Sequence, residues 1–259
     1  MNESKIRLLT RGDDGGLNHS SNQAIYDACV KGVLRNVSVM APAPAFKEMA
    51  EMLRGLKHVC AGLHSCLNSE WELVKWGPVL PVEKVRSLVN DQGHFYKHPR
   101  QFEKNKPVVD EALNEIRAQL ELARSSGLNV EYLDEHMAFG WTDAELQEAI
   151  FKLCEKEGII SSTLLFKQDK LKRLPLKEEK GADRVELVLD ALKAAPPGTY
   201  IHVGHPAYDT EEMLLIGGAK KPSGGEGKNR DEQRRVFMDE RIISLCKNNL
   251  VTPIRYTEI

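Results

Sequence analysis

This 259-residue chain has no Cys-x-x-Cys pair, no long apolar run and no block of like charge. Each absence removes a class of protein. The five cysteines, Cys29, Cys60, Cys66, Cys154 and Cys246, are an odd number and widely scattered, which argues against a disulfide framework and against a structural zinc knot. With no apolar stretch of about 20 residues, no bilayer span is expected. Lys+Arg 36 against Asp+Glu 38 gives a net charge of −2, so nucleic acid and anionic membrane surfaces are poor partners. The opening Met1-Asn2-Glu3-Ser4-Lys5 lacks the apolar core of a secretory signal, and with unpaired cysteines this makes the cytoplasm the expected location. The glycines Gly217, Gly218, Gly224, Gly225 and Gly227 do not form GxxxxGK[ST], so a phosphate-cradling loop is not expected.

What is present is alternation. Hydrophobic residues make up 41% of the chain, enough for a substantial core, and the length suits one α/β barrel. Strand-like runs are expected at Ile6–Thr10, Val37–Met40, Val59–Leu63, Val130–Leu133, Ile159–Leu165, Tyr200–Val203 and Val251–Tyr256. Between them lie helix candidates at Asn22–Lys31, Pro44–Leu53, Val108–Ala123, Asp143–Lys156, Asp183–Lys193 and Asp231–Cys246, with Thr142-x-x-Glu145 as a capping box. Repeated βα units predict a parallel sheet, a distorted TIM-like (β/α) barrel in one domain spanning 1–259, with an open doubly wound sheet as the alternative. Inserted loops are expected around 68–106 and 207–230. The first carries Trp71, Trp76, Phe95 and Tyr96, suited either to stacking on sugars or to packing; the second reads as a lid or flexible excursion.

The chemistry sits where strands end. Asp13-Asp14, His64, Asp134-x-His136 and His205-Pro206 each follow a strand-like run, and strand ends are where a parallel α/β fold presents side chains to a shared crevice. Singly, each has an ordinary structural explanation: a capped turn for Asp-Asp-Gly, a hydrogen-bonded His, a polar pair on an edge strand. In order along successive strands they suggest more. One acid and two imidazoles satisfy a divalent metal, leaving a second acid and a further His for proton transfer. Alternation puts Asp134 and His136 on one face, with Asp134 able to orient a neighbour. Pro206 would fix His205 at the strand mouth, and an imidazole's ordinary pKa suits a general acid. His202 is its competitor, while His19, His58, His94 and His98 lack comparable context.

At this point the chain resembles the YdjC-like carbohydrate deacetylases. The likeness runs over most of the chain, on Arg11-Gly12-Asp13-Asp14, on the stretch from Gly32 to Pro42 (GVLRNVSVMAP), and on Gly62-Leu63-His64. It continues through Ser69-Glu70-Trp71-Glu72, Trp76-Gly77-Pro78-Val79, Leu133-Asp134-Glu135-His136-Met137 and Gly204-His205-Pro206-Ala207. The resemblance implies a distorted NodB-like barrel and removal of acetyl groups from N-acetylated sugars or oligosaccharides. It implies Asp14, His64 and His136 as metal ligands, Asp13 as catalytic base and His205 as acid. The O/N/N donor set suits Zn2+ and leaves magnesium, manganese and cobalt open, while the resemblance leans towards Mg2+ for some members. Two departures reshape the pocket: Gly15 stands where an aromatic residue is usual, and Met137-Ala138 where a second histidine cluster is usual. A metal-dependent phosphoesterase and a non-catalytic sugar-binding barrel are the rival functions, and a homo-oligomer is the default assembly.

Overall fold

The computed structural model describes residues 6–177, 181–217 and 225–259. Strands and helices alternate: β1 (Ile6–Gly15), α1 (His19–Lys31), β2 (Asn36–Val39), α2 (Phe46–Leu53), β3 (Cys60–Ser65), α3 (Val109–Ser125), β4 (Val130–Glu135) and α4 (Ala144–Glu157). Then follow β5 (Ile160–Ser161), α5 (Ser162–Lys167), β6 (Lys172–Arg173), α6 (Arg184–Ala194), β7 (Gly198–Gly204), α7 (Gly225–Met238), α8 (Glu240–Lys247) and β8 (Val251–Ile254). Pairing between these strands is parallel, in the order β5-β4-β3-β2-β1-β7-β6. β1 is the hub. One edge carries β7, and the other is divided between β8 at Ile6–Leu9 and β2 from Arg11 onward. The sheet curls into a distorted barrel with an open side, since no pair joins β5 to β6 among the described residues. No described helix is long and apolar enough to cross a membrane.

The period of two along each strand sorts the chain into an outer and an inner layer. Outward residues such as Leu8, Val37, Val39 and Leu63 pack with Ile25, Met49 and Ile116 from the helices and with Leu34 from the α1–β2 connection. The inward set forms a separate cluster of Leu9, Cys60, Tyr132, Leu171, Ile201, Ile254 and Tyr256. Stepping by two toward the C-terminal ends turns these apolar floors into functional groups: Leu9 to Arg11 to Asp13, Cys60 to Gly62 to His64, Tyr132 to Asp134 to His136, Ile201 to Val203 to His205. Gly62 is what lets the floor close. A Cβ there would lie 2.2 Å from the Tyr132 ring, which stacks on Tyr256 at 4.0 Å between centroids.

Local chemistry corrects several sequence expectations. The Ile159–Leu165 strand stops after Ser161, whose hydroxyl accepts from Leu164 N–H and starts α5 instead. The expected single helix Asp231–Cys246 is two, because Asp239 caps α8 through the Arg241 N–H. Its first half begins earlier, at Gly225, so residues 225–230 are helix, not loop. Lys228 and Arg230 therefore ride a helix, while Gly218, Lys220, Lys221 and Gly224 lie outside the described residues. The Thr142 capping box is replaced by Asp143, which accepts from Glu145 and Leu146 N–H at 2.8 and 3.2 Å. Thr142 turns back to the Phe139 carbonyl. The last strand ends at Ile254, leaving Tyr256 in a short turn with its ring in the barrel interior.

Candidate active site

The five sequence-predicted residues, Asp13, Asp14, His64, His136 and His205, line one cleft of about 340 Å³ at the C-terminal ends of the strands. Simple alternation would send Asp13 and Asp14 to opposite faces of β1. A register shift between Gly12 and Gly15 against β2 prevents this, and Asp14 takes a left-handed φ of 61°. A bulge of this kind re-aims a side chain at the cost of local backbone strain. The distortion is pinned on its far side, where Gly15 O accepts from Met40 N–H at 2.8 Å and Gly16 N–H donates to Asn22 Oδ1 at 2.7 Å.

Three donor atoms converge. His64 Nε2 and His136 Nδ1 face each other at 3.1 Å, and Asp14 Oδ1 lies 3.5 and 3.4 Å from them. These edges match three ligands of one ion with bonds of roughly 2.0–2.2 Å. The far side of each ring is already spoken for. His64 Nδ1 meets Asp134 Oδ2 at 2.7 Å, and His136 Nε2 meets Glu70 Oε2 at 2.8 Å. An N–H donated to each carboxylate fixes the tautomer and leaves the inner nitrogens as lone-pair donors. Asp14 Oδ1 is buried with no hydrogen-bond partner among the described residues, an acceptor that a cation would satisfy. The residues present fit a divalent metal.

The surrounding charges sharpen this arrangement. Burial works against ionising Asp14, but Arg230 and the neighbouring imidazoles hold its carboxyl well below the usual range. Burial likewise disfavours charge on Asp134, which Arg11 and His64 nevertheless bring down to about 2. For the rings burial lowers the pKa, and the carboxylates reverse it: Asp134 and Asp13 raise His64 well above its ordinary value, while Glu70 and Asp14 take His136 to about 9. The site is built to hold positive charge. Arg11 organises the acids from below, donating through Nε and Nη2 to the two Asp13 oxygens at 2.6 and 2.7 Å. Its Nη2 also lies 3.1 Å from Asp134, and Nη1 reaches Tyr256 and Ser162 at 3.0 and 3.2 Å. A planar fork locked at every point leaves Asp13 one orientation.

His205 follows from register. Gly12 pairs with Gly204, so Asp13 and His205 are next neighbours at the mouths of β1 and β7. Gln233 Oε1 accepts from the His205 backbone N–H at 2.8 Å and lies 3.2 Å from Nδ1, leaving Nε2 as the ring nitrogen free to carry a transferable proton. His202, its competitor, faces the other way and packs at 5.5 Å against Phe237. Glu135, the last residue of β4 between Asp134 and His136, is a clamp: it accepts from Gly140 N–H and Gln147 Nε2 at 2.8 and 2.9 Å. That clamp holds the turn in which Met137 and Ala138 take left-handed φ values of 52° and 51°. Gly15 is closely covered, an added Cβ meeting Ser38 O at 3.2 Å and Met49 and Val37 at 3.3 Å.

Five residues in or beneath the cleft carried little or no signal of their own. Arg11 stands two residues before Asp13, the spacing of one strand face. Glu226, Asn229, Arg230 and Gln233 of α7 all line the cleft at i, i+3, i+4 and i+7, a polar helical stripe. The aromatic loop divides between core and cleft. Trp76 and Phe95 are core residues, whereas Trp71 lines the cleft beneath Arg230, whose guanidinium carbon is 5.5 Å from its ring.

A family model described as YdjC-like protein matches residues 7–248. A carbohydrate deacetylase of Enterococcus faecalis is 31% identical over 134 residues, 51% of this chain and 49% of that protein. One from Vibrio cholerae is 26% identical over 152 residues, 58% of this chain and 56% of its own. The chain thus spans about half the length of the curated relatives it matches. Among solved structures, a protein of Enterococcus faecalis provisionally described as a cellobiose-phosphate cleavage protein superposes with a TM-score of 0.78 at 20% identity, covering 98% of this chain and 99% of that one. A family 4 carbohydrate esterase from Streptomyces lividans superposes with a TM-score of 0.52 at 12% identity, covering 98% and 93%. At these identities the likeness is one of fold.

Proposed function

Because the chain belongs to the YdjC-like family, we propose that it is a carbohydrate deacetylase that hydrolyses the N-acetyl group of a sugar or oligosaccharide with the help of one divalent metal. The observation that carries this is the convergence of Asp14 Oδ1, His64 Nε2 and His136 Nδ1 within 3.1–3.5 Å of one another. A divalent ion held by these three residues, Zn2+ or Mg2+, would supply Lewis acidity, acidifying a water and polarising the acetyl carbonyl. Asp13, aimed by Arg11, takes the proton of the attacking water as it adds to the acetyl carbon. Asp134 and Glu70 keep the two imidazoles turned inward throughout. When the C–N bond breaks, the sugar nitrogen needs a proton because an amide anion is a very poor leaving group. His205 is placed to donate it from Nε2. The products are acetate and the sugar amine.

A phosphoesterase using the same ligands would want a free cationic clamp. Arg230 faces the cleft, yet with Nη2 committed to Asp14 at 2.7 Å it offers a single terminal nitrogen and not a two-pronged clamp, which favours the acyl substrate. The test is acetate release from N-acetylglucosamine, its phosphates and chitooligosaccharides, with metal removed by chelation and then Zn2+ or Mg2+ restored. Release that stops on chelation and returns with metal supports the proposal. Phosphate release without acetate would favour the phosphoesterase, and sugar binding without either product would favour the binding module.

A further inference from the structure

We infer that Arg230 and Trp71 form the oxyanion site of this reaction, two N–H donors that receive the acetyl oxygen as it gains charge. The inference rests on the deacetylase function proposed above. Arg230 is 5% exposed and gives only Nη2 to Asp14, at 2.7 Å. Its other terminal nitrogen, Nη1, is buried and has no hydrogen-bond partner among the described residues, and the same is true of the indole nitrogen Nε1 of Trp71. The two side chains are stacked, guanidinium carbon 5.5 Å from the ring, and both line the cleft beside Asp14 and His205. Buried polar groups are nearly always satisfied, so two unmet donors on one wall of a cleft call for an acceptor that arrives with the substrate.

The chemistry of the pair selects which acceptor. A guanidinium favours an oxygen that carries charge over a neutral one, and donors fixed before the reaction stabilise a developing anion without reorganising. As the water oxygen adds to the acetyl carbon, the C=O electron pair moves onto the carbonyl oxygen. Nη1–H and Nε1–H donate to that oxygen. When the C–N bond breaks, the electron pair returns to form the carboxyl group of acetate, the nitrogen takes its proton from His205, and the two donors are released. The competing explanation is that Arg230 only keeps Asp14 ionised, with Trp71 as packing beneath it.

Two substitutions separate these roles. Trp71→Phe keeps an aromatic face under the guanidinium and removes one N–H. Arg230→Lys keeps a cation beside Asp14 and removes the second donor nitrogen. Each is assayed for kcat and KM on an acetylated sugar at saturating metal, and the metal-free protein is titrated with Zn2+ by calorimetry. Each variant is expected to lose about 10²-fold in kcat, with KM and Zn2+ affinity close to wild type, because the contact strengthens only in the transition state. Unchanged kcat in Trp71→Phe, or losses in both variants that are matched by weakened Zn2+ affinity, would overturn the assignment while leaving the deacetylase function standing. No acetate release by the wild-type protein would instead overturn that function, and this site with it.

Discussion

His64 and His136 on the inner face of the barrel and His202 on the outer face are almost equally hidden, with 2%, 4% and 6% of their surfaces exposed. Their chemistry is opposite. Between the carboxylates of the barrel mouth, the inner pair is pushed up, His136 to about 9, against the pull of burial. On the outer face burial acts with the nearby Arg184, and His202 falls to about 4. Depth alone therefore does not decide what a buried imidazole does; the charged group beside it does. The inner face surrounds its imidazoles with buried carboxylates, while the outer face uses the same residue type as packing.

The largest break in this comparison comes from removing inner groups one role at a time. Asp13→Asn takes away a proton acceptor but no ligand, so kcat for acetate release should fall by about 10²–10⁴-fold with bound metal unchanged by elemental analysis. His64→Ala should instead lose the metal. Equal metal loss in both variants would erase the distinction between the two roles.

Next comes the leaving group. His205→Ala should slow an N-acetyl sugar by about 10²–10⁴-fold yet spare an activated acetyl ester, whose alcohol departs without a proton. Equal losses on amide and ester would give His205 a structural role. Glu70→Gln probes the orientation of His136 more gently. Its amide preserves volume but ends the charge-assisted hold on Nε2, and Zn2+ affinity should weaken by about 10–100-fold. Unaltered affinity would mean that the tautomer is set elsewhere.

The smallest effect belongs to the outer face. A lowered folded pKa means that the unfolded chain binds the extra proton first. Stability from His202 is thus present above its ordinary value of 6.5 and is lost as pH falls toward about 4, at about 1.4 kcal/mol per pH unit. Urea unfolding of His202→Leu should show a shallower fall across that window than wild type. Parallel slopes would contradict the neutral, packed His202.

Much of this contrast was legible in the chain. The acids and imidazoles fall at strand ends, and period-two spacing already joins Leu9, Arg11 and Asp13 on one face. The alternating units and their parallel sheet follow from hydrophobic pattern alone. What escaped depends on backbone detail or on distance. The left-handed Asp14 that brings two adjacent acids into one cleft has no Gly or Asn to announce it. Arg230 was obscured because the glycines before it read as loop, although its helix starts at Gly225. Glu70 reaches His136 from a segment 66 residues away, and no local periodicity marks such a contact. Helix ends depart from the sequence pattern where one capping side chain outcompetes its neighbour, as Asp143 does Thr142.

The most direct test is a crystal structure of the Zn2+-loaded protein with anomalous data at the zinc edge. One ion should refine with Asp14 Oδ1, His64 Nε2 and His136 Nδ1 as its protein ligands, each at about 2.0–2.2 Å, and with Asp13 outside the coordination sphere. An ion bound elsewhere, or one coordinated through Asp13 and Asp134 with Asp14 turned away, would contradict the account.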